Sequence, residues 1–488
     1  MSSSTEYASI VQAQARKCPE RVALEFRNET WTYGRLETSI VEATNALRRL
    51  GVKPGDRVAL LLESTPTYVV CQFAIARLGA TFVTPNPSWT VHETRHALEA
   101  ANVRVSIVDA DHGRHSLDGS SIIQTADIVR SNESEPAEDG DSRLGPTSEL
   151  FIPFSSGTTG FPKGVIHTVG SVDGAIDQLI RHTELGPDDH LQVSIPLCHI
   201  FGTTMLSAAL KVGARVTLFE RFDFDECIGQ LRTGNVTVWP LAGSVAHRLS
   251  RRGDLSVDDF PALRFFMWGG SPVPAELARR ITDATGVGFL CSYGMTEAMM
   301  VTFNPVDDPS RWSLDSPGFA TEGTELRLGD DNELEVRGPS VATGYTLATD
   351  DVAAPAESPF SEDGWFRTGD IARIDSTGRV WIVDRKKDMI KVSGFQVAPV
   401  EVETELLRHP AVLDAAVVAE SDERTGQRVV GYIVTSEQID MDRLRDAASE
   451  RLASYKVPSE IRIVDAIPRT NTGKLQRARL TAVPIENP

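Results

Sequence analysis

The stretch DRVALLLESTPTYVVCQFAIARLGATFVTPNP, residues 56–87, decides the fold class. Its first nine residues contain the apolar run VALLL and predict a buried strand, and the following PTYVVCQFAIARLGA predicts a helix that ends at a glycine. The last part, ATFVTPNP, predicts a second strand and a turn. This strand–helix–strand order is typical of a mainly parallel sheet flanked by helices, and it predicts an α/β protein.

The pattern of the 488-residue chain changes near residue 385. Before it, strands and helices alternate, and ELEVRGPSVATGY and GRVWIVDR predict short strands with tight turns. After it, the order strand, helix, strand, strand, helix, strand is sufficient for one small α+β domain. We therefore predict a large N-terminal body of several subdomains, residues 1–384, and a small mobile C-terminal lid, residues 385–488. The acidic, turn-rich residues 131–148 predict an exposed insertion loop.

The formal net charge of −19 argues against a general nucleic-acid binder or a protein of anionic membrane surfaces, since both need broad basic surfaces. No apolar run approaches the ~20 residues of a membrane span. The N-terminus does not resemble a signal peptide, and the C-terminus carries no targeting tripeptide. The five scattered cysteines form no CxxC pair, which indicates a reducing compartment. The expected location is the cytoplasm.

The glycine-rich stretch SSGTTGFPKG, residues 155–164, follows the apolar run ELFIPF and precedes the amphipathic run VIHTVGSVDGAIDQLI. We therefore expect a strand, a glycine loop and a helix, with backbone N–H groups and hydroxyls that converge on a phosphate. The spacing of the glycines is not that of a Walker A loop. Because Pro162 disfavours a helical conformation at residue 161, Lys163 is expected on the loop.

The full stretch SSGTTGFPKG resembles the phosphate-loop signature of the adenylate-forming superfamily of acyl-CoA synthetases, peptide-synthetase adenylation domains and luciferases. Four further stretches resemble the other motifs of that superfamily in the same order: SYGMTE (292–297), WFRTGD (365–370), DRKKDMIKVSGFQVAPVEVE (384–403) and IPRTNTGKLQR (467–477). The third of these is similar to the hinge motif of the 4-coumarate–CoA ligase and firefly luciferase branch. The resemblance extends from about residue 8 to residue 480.

The resemblance implies a site for ATP and Mg²⁺ in the body. Tyr293 would stack on the adenine, Asp370 would accept hydrogen bonds from the ribose hydroxyls, and Arg385 would contact ribose or phosphate. Glu297 and Thr158 would hold the Mg²⁺, which neutralises triphosphate oxygens. The other implied nucleotide- and phosphate-binding residues are Ser155, Ser156, Gly157, Thr158, Thr159, Gly160, Lys163, Gly270, Ser271, Ser292, Gly294 and Thr296.

The resemblance also implies a lid that acts in two positions. During adenylation, Lys474 would bridge the substrate carboxylate and the α-phosphate and stabilise the charge that develops there. The lid would then rotate about the hinge residue Lys387. In one lid position, Lys391 and Gln396 would approach the reacting centre. In the other, Ser393, Gly394 and Phe395 would border the tunnel for the pantetheine arm of coenzyme A. Thr296 and His199 are the remaining residues that the resemblance places in the catalytic site.

The acid pocket has its own sequence signals. Peptide-synthetase adenylation domains carry an aspartate shortly after the position of HIFG, and residues 201–205, FGTTM, contain no carboxylate, which argues against an α-amino acid. The resemblance implies a pocket that is lined by His199, Phe201, Trp239, Trp268, Gly269, Met300 and Val301. Two tryptophans and a methionine indicate an apolar, shortened pocket for an aryl or a short- to medium-chain aliphatic acid. The alternative is that both tryptophans only pack the core.

The function that the resemblance implies is ATP-dependent activation of a carboxylic acid to acyl-AMP, with pyrophosphate release, followed by transfer of the acyl group to coenzyme A. An acyl carrier protein is the alternative acceptor, and luciferase-like oxidation of the adenylate is a third reading. A non-catalytic nucleotide-binding relative is a fourth, against which the presence of Lys163, Glu297, Asp370 and Lys474 counts. The absence of an obvious insertion before TGD favours coenzyme A.

Overall fold

The structure is a computed structural model that describes residues 7–109, 121–130, 144–155, 162–241, 243–270, 275–346, 358–393, 395–469 and 475–480. Its strands are β1 Val22–Phe26, β2 Glu29–Thr32, β3 Arg57–Leu61, β4 Thr81–Thr84, β5 Val105–Val108, β6 Ser121–Gln124, β7 Glu149–Ser155, β8 Lys163–Thr168, β9 His190–Val193, β10 Arg215–Leu218, β11 Val238–Leu241, β12 Phe265–Trp268, β13 Phe289–Met295, β14 Ala298–Phe303, β15 Gly318–Ala320, β16 Glu325–Leu328, β17 Glu333–Arg337, β18 Gly344–Tyr345, β19 Phe366–Ile374, β20 Arg379–Arg385, β21 Ile390–Val392, β22 Phe395–Val397, β23 Val412–Asp422, β24 Gly426–Thr435 and β25 Glu460–Ile463.

The helices are α1 Ile10–Lys17, α2 Tyr33–Arg49, α3 Pro66–Arg77, α4 Val91–Ala100, α5 Thr125–Arg130, α6 Val169–Thr183, α7 Ile200–Val212, α8 Phe224–Arg232, α9 Gly243–Leu249, α10 Ala275–Thr285, α11 Pro399–Leu406, α12 Met441–Ser449 and α13 Arg477–Leu480. Within the described ranges, no helix is both long and apolar enough to cross a membrane. Most of the predicted insertion loop, residues 131–143, lies outside the described residues.

The strand–helix–strand unit predicted from residues 56–87 is confirmed. Strands β3 and β4 pair in parallel, and α3 connects them. The Thr65 side chain caps α3 by accepting the N–H of Tyr68, and Pro66 occupies the first turn, where its missing N–H costs nothing. Both strands are buried along almost their whole length, as expected for strands of a parallel sheet.

Two large sheets form the body. One has the strand order β16-β17-β19-β20-β15-β14-β13-β12-β11-β9-β10-β1-β2, and the other has the order β18-β8-β7-β4-β3-β5-β6. The α/β class is confirmed, and both sheets are mixed. Pairing is parallel from β1 through β10, β9, β11 and β12 to β13, and antiparallel from β13 to β16. Short turns between consecutive strands permit only antiparallel pairing, because a parallel pair needs a crossover connection.

The structure corrects the prediction of a strand, a glycine loop and a helix around SSGTTGFPKG. Strand β8 follows the loop and pairs antiparallel with β7, with Ser155 opposite Lys163. Helix α6 begins only at Val169, where the Thr168 side chain accepts the N–H of Ser171. The helical spacing of the apolar residues therefore starts after this cap. The loop connects two strands of a β-hairpin, and no helix N-terminus follows it directly.

The lid has a separate sheet and a separate core, in the predicted order of elements. Its strands are ordered β22-β21-β24-β23, and β25 pairs with β24. Helices α11 and α12 cover the sheet, with Val402, Leu406 and Leu444 buried against Val417 and Ile433.

Candidate active site

A cavity of about 550 Å³ lies where the parallel strands of the two body sheets end. Thr84 at the end of β4, Phe154 near the end of β7, Ser194 after β9, Phe219 after β10 and Gly269 after β12 all line it. The carboxyl ends of parallel strands are where open α/β sheets bind ligands, because the loops that follow the strands are free to vary there. The position therefore points to a binding site.

The cavity collects predicted residues from distant parts of the chain. Eight residues from the predicted site line it: His199, Phe201, Gly269, Gly270, Ser292, Gly294, Thr296 and Met300. At Gly269, an added Cβ would lie 3.0 Å from Ser292 Oγ and 3.8 Å from the Phe201 ring. The missing side chain at this position therefore keeps one wall of the cavity open.

Trp239, Trp268 and Val301 do not line the cavity, which corrects the predicted pocket. Trp239 is fully buried, and its Nε1 donates to Ser194 Oγ at 3.0 Å. Trp268 packs against Phe289 in the same core cluster as Trp239. Val301 faces the opposite side of β14 from Met300, because successive side chains of a strand alternate. The two tryptophan rings therefore belong to the core behind the cavity wall.

Residues from three separate motifs meet on the antiparallel part of the large sheet. The Tyr293 hydroxyl donates to Asp370 Oδ2 at 2.6 Å, and Arg385 Nε lies 3.3 Å from Asp370 Oδ1. Asp370 and Arg385 are register partners on β19 and β20. Burial and the charge of Asp370 raise the pKa of Tyr293 well above its usual value, so its hydroxyl remains a donor. The cluster presents an anchored carboxylate that can accept hydrogen bonds from a ligand.

A second group of contacts connects the β7–β8 hairpin, which carries the predicted phosphate loop, to the SYGMTE motif. His167 on β8 is fully buried, with Nε2 2.7 Å from the Thr296 carbonyl oxygen and Nδ1 3.1 Å from Ser171 Oγ. Burial lowers the pKa of His167 to about 4, so the ring is neutral and Nε2–H donates to the carbonyl. The Tyr345 hydroxyl donates to Glu297 Oε1 at 3.0 Å. Sequence reasoning missed both His167 and Tyr345, because no local pattern marks either residue.

The residues present fit a magnesium ion carried by a nucleotide. Among the described residues, no cluster of three or more His, Cys, Asp or Glu side chains forms a self-contained metal site. Glu297 is a single carboxylate that accepts a hydrogen bond from Tyr345 on β18. Strand β18 pairs with β8, the strand that begins at Lys163. Mg²⁺ in nucleotide enzymes is commonly held by one or two carboxylates together with substrate phosphates. A lone Glu297 therefore suits a metal that arrives with the phosphates.

The β21–β22 hairpin of the lid faces solvent. Lys391 and Gln396 are register partners, and both are exposed, as is Ser393. The Phe395 side chain is 56% exposed and stacks on Tyr455, with 4.7 Å between ring centroids. Every cavity-lining residue in the described part of the chain comes from the body. In this lid orientation, Lys391 and Gln396 are therefore not brought to the cavity.

The attachment of the lid to the body can be followed residue by residue. Lys386 Nζ lies 3.3 Å from Asp331 Oδ2 and 3.2 Å from Glu333 Oε2, so the chain is still anchored to the body at this point. The exposed Lys387 comes next. Across the boundary, Asp384 Oδ2 on β20 accepts the N–H of Val400 in the first turn of α11 at 3.1 Å. This hydrogen bond ties a body strand to a lid helix.

Several predicted site residues lie outside the described residues, namely Ser156, Gly157, Thr158, Thr159, Gly160, Ser271, Gly394 and Lys474. Ser155 is the last residue of β7, and Lys163 is the first residue of β8. The two described ends of the phosphate loop thus lie opposite each other in the hairpin.

Comparison with known proteins identifies the family of this chain. The profile of the family described as "AMP-binding enzyme" matches residues 11–346, and that of "AMP-binding enzyme C-terminal domain" matches residues 401–474. A feruloyl-CoA synthase of Amycolatopsis sp. is 32% identical, over 96% of this chain and 96% of the relative. The 4-coumarate–CoA ligase 3 of Oryza sativa subsp. japonica is 30% identical, over 93% of this chain and 87% of the relative.

One solved structure is of particular interest because of its ligands. It is an O-succinylbenzoate coenzyme A synthetase from Bacillus subtilis in complex with ATP and a magnesium ion. It superimposes with a TM-score of 0.84 at 26% sequence identity, over 97% of this chain and 99% of that chain.

Proposed function

This chain belongs to the AMP-binding enzyme family, and on that premise we propose that it is an AMP-forming acid–thiol ligase that converts an aryl carboxylic acid to its coenzyme A thioester. One observation carries the proposal. Along SYGMTE, Ser292, Gly294 and Thr296 line the cavity, whereas Tyr293 bonds to Asp370 and Glu297 bonds to Tyr345. Alternate residues of a single segment thus line the cavity, and the residues between them are those to which we assign the nucleotide and the metal, an arrangement that suits acyl-AMP formation.

In the first half-reaction, the acid carboxylate attacks the α-phosphate of ATP, and pyrophosphate leaves. Two anions must meet, so the protein has to supply position and positive charge. Bound magnesium supplies charge neutralisation at the triphosphate. We assign to Asp370 the ribose hydroxyls, to Lys163 the phosphates that leave, and to Lys474 the α-phosphate and the attacking carboxylate. No general base is required, because the carboxylate is already ionised.

In the second half-reaction, the thiol of coenzyme A attacks the carbonyl of acyl-AMP, and AMP leaves. A thiol has an ordinary pKa of about 8.5 and is a good nucleophile once partly ionised. We propose that the lid, residues 385–488, turns about Lys387 and brings the β21–β22 hairpin to the cavity. The solvent exposure of this hairpin supports the idea that the described orientation is not the one used for thiolysis. We further propose a cytoplasmic location, consistent with five free cysteines.

The cavity wall favours an acid whose tail is uncharged. Phe201, Met299 and Met300 supply apolar surface. Among the described residues that line the cavity, Arg221 is the only lysine or arginine. Its side chain is 79% exposed, and its Nη2 lies 3.2 Å from Glu63 Oε1. A second carboxylate buried in the cavity away from Arg221 would lose its water without gaining a lysine or arginine partner among the described lining residues. Relatives that act on coumarate and ferulate are therefore better guides to the substrate than relatives that act on 2-succinylbenzoate.

The test is a pyrophosphate-release assay with Mg·ATP and a panel of acids, run with and without coenzyme A. The panel contains 4-coumarate, ferulate, 2-succinylbenzoate and phenylalanine. We expect release and thioester formation with the first two acids, and a kcat/KM at least about tenfold lower for 2-succinylbenzoate, since an unpaired buried charge costs several kcal/mol. Absence of release with every acid would contradict the proposed function. Adenylate formation without a coenzyme A thioester would instead make a carrier-protein phosphopantetheine the acceptor.

A further inference from the structure

Tyr345 contacts the proposed metal carboxylate, although none of the sequence motifs includes it. Its hydroxyl lies 3.0 Å from Glu297 Oε1, and the two residues are 48 positions apart in the chain. An ionised carboxylate has no proton to give, so the Tyr345 hydroxyl is the donor of this hydrogen bond and Glu297 Oε1 is the acceptor. A hydrogen bond to an ionised carboxylate is stronger and shorter than one between neutral groups, and it restricts carboxylate rotation.

The position of Tyr345 is set by contacts that do not involve Glu297. Strand β18 pairs with β8, which places Tyr345 opposite Val165. Thr346 N donates to the Gly164 carbonyl at 2.8 Å, on the side of β8 next to Lys163. The Tyr345 ring also packs edge-to-face against Phe360, at 5.4 Å between centroids. The hydroxyl is therefore held by the β7–β8 hairpin, and it reaches across to the SYGMTE segment.

We propose that Tyr345 is a positioning residue that holds Glu297 ready for the magnesium ion of bound Mg·ATP. The proposal rests on the proposed function, which requires Mg·ATP as a substrate. With Oε1 held by Tyr345, the carboxylate loses less conformational freedom when the metal binds. The same bond keeps the metal carboxylate in register with the hairpin that carries Lys163. In this role Tyr345 acts through Glu297.

The test is Tyr345→Phe, which keeps the ring and deletes only the hydroxyl. Calorimetry would measure ATP binding to the full-length protein with Mg²⁺ and without metal. We expect ATP affinity in the presence of Mg²⁺ to fall about 3- to 10-fold. This is less than the roughly 10- to 100-fold loss typical when a partner of a metal ligand is removed, because phosphates hold most of the metal. Metal-free ATP binding should stay unchanged, which also shows that the variant is folded.

Tyr33→Phe is the matched control. The Tyr33 hydroxyl is buried and donates to the Ala214 carbonyl at 2.7 Å, with no role assigned in the site. Its removal is the same chemical change, and both ATP affinities should match those of the parent protein. In the double variant Glu297→Gln/Tyr345→Phe, Mg·ATP affinity should equal that of Glu297→Gln alone, since the hydroxyl acts through this carboxylate.

Two results would overturn the proposal. One is an unchanged Mg·ATP affinity in Tyr345→Phe, and the other is an equal loss with and without metal, which would mean that the hydroxyl serves the nucleotide itself. Failure of the proposed function looks different. In that case the parent protein binds Mg·ATP but releases no pyrophosphate with any acid, while the effect of Tyr345→Phe on Mg·ATP binding persists.

Discussion

The candidate residues of the body and those of the exposed β21–β22 hairpin of the lid differ in how their side chains are held. In the body, Tyr293, Asp370 and Glu297 are each held by a hydrogen-bonded partner from another element. In the lid, Lys391 and Gln396 extend from a two-stranded hairpin into solvent. The difference supports the proposal that the body holds a preformed binding site and that the lid contributes when it moves. Variants of the two regions should therefore differ in which half-reaction they impair.

The largest expected effect is that of Lys474→Ala. Adenylation should fall about 10²- to 10³-fold, because an electrostatic partner of the transition state is lost. Thioester formation from supplied acyl-AMP should remain within about threefold of the parent value, since no phosphoryl transfer occurs in that step. The two rates are measured by pyrophosphate release and by coenzyme A thioester formation.

Arg443→Ala is the control for this prediction, because Arg443 is an exposed lid cation whose side chain is 89% accessible. The rates of both half-reactions should be unchanged in Arg443→Ala. Equal losses of the two half-reactions in Lys474→Ala would contradict a lid that acts in two positions.

An intermediate effect is expected for Asp384→Ala, which removes the acceptor for the Val400 N–H across the domain boundary. Loss of this hydrogen bond should weaken the described lid orientation, because a hydrogen bond contributes a net stabilisation of about 1 kcal/mol. On the proposal that the described orientation serves adenylation, this half-reaction should fall about 3- to 10-fold, while thiolysis of supplied acyl-AMP is unchanged or faster.

The matched control is Asp440→Ala. Asp440 caps α12 by accepting the N–H groups of Asp442 and Arg443, entirely inside the lid. The Asp440→Ala substitution should lower the stability of the lid in thermal unfolding without changing the ratio of the rates of the two half-reactions. If Asp384→Ala leaves that ratio unchanged as well, the bond between β20 and α11 does not hold the lid.

The smallest effect is expected for Gly269→Ala in the body. The new Cβ would lie 3.8 Å from the Phe201 ring and 3.0 Å from Ser292 Oγ, so it narrows the acid cavity without touching the Asp370 cluster. The KM for a bulky aryl acid should rise about 3- to 5-fold, in line with small steric changes in apolar pockets. The KM for ATP should stay constant, and a parallel rise in both constants would show that the two sides of SYGMTE are not separate.

Sequence and structure agree best where the signal is local. The buried strand β3, the capped helix α3 and the order of lid elements follow from hydrophobic periodicity and turn residues. The error at SSGTTGFPKG also has a local cause. Residues 165–168 belong to a strand, although the helical spacing that begins a few residues later made one continuous helix plausible. The Thr168 cap marks the true start of the helix.

The acid pocket shows what local patterns cannot supply. The resemblance assigned Trp239 and Trp268 to the cavity, but both side chains point into a core cluster with Phe266 and Phe289. Which face of a strand meets a cavity depends on the layers packed on both sides, and alternation alone does not reveal this. The same reasoning applies to His167 and Tyr345, whose partners lie 129 and 48 residues away.

By itself, the sequence determined the α/β class, the small C-terminal domain and the family, since periodicity and motif residues are properties of short segments. Only the tertiary structure decided that β7 and β8 form a hairpin on either side of the predicted phosphate loop. It also decided that Phe201 and the methionines, and not the tryptophans, line the cavity, and that Tyr345 donates a hydrogen bond to Glu297. Those features depend on strand pairing and side-chain direction between distant segments. Such contacts are settled only when the whole chain packs.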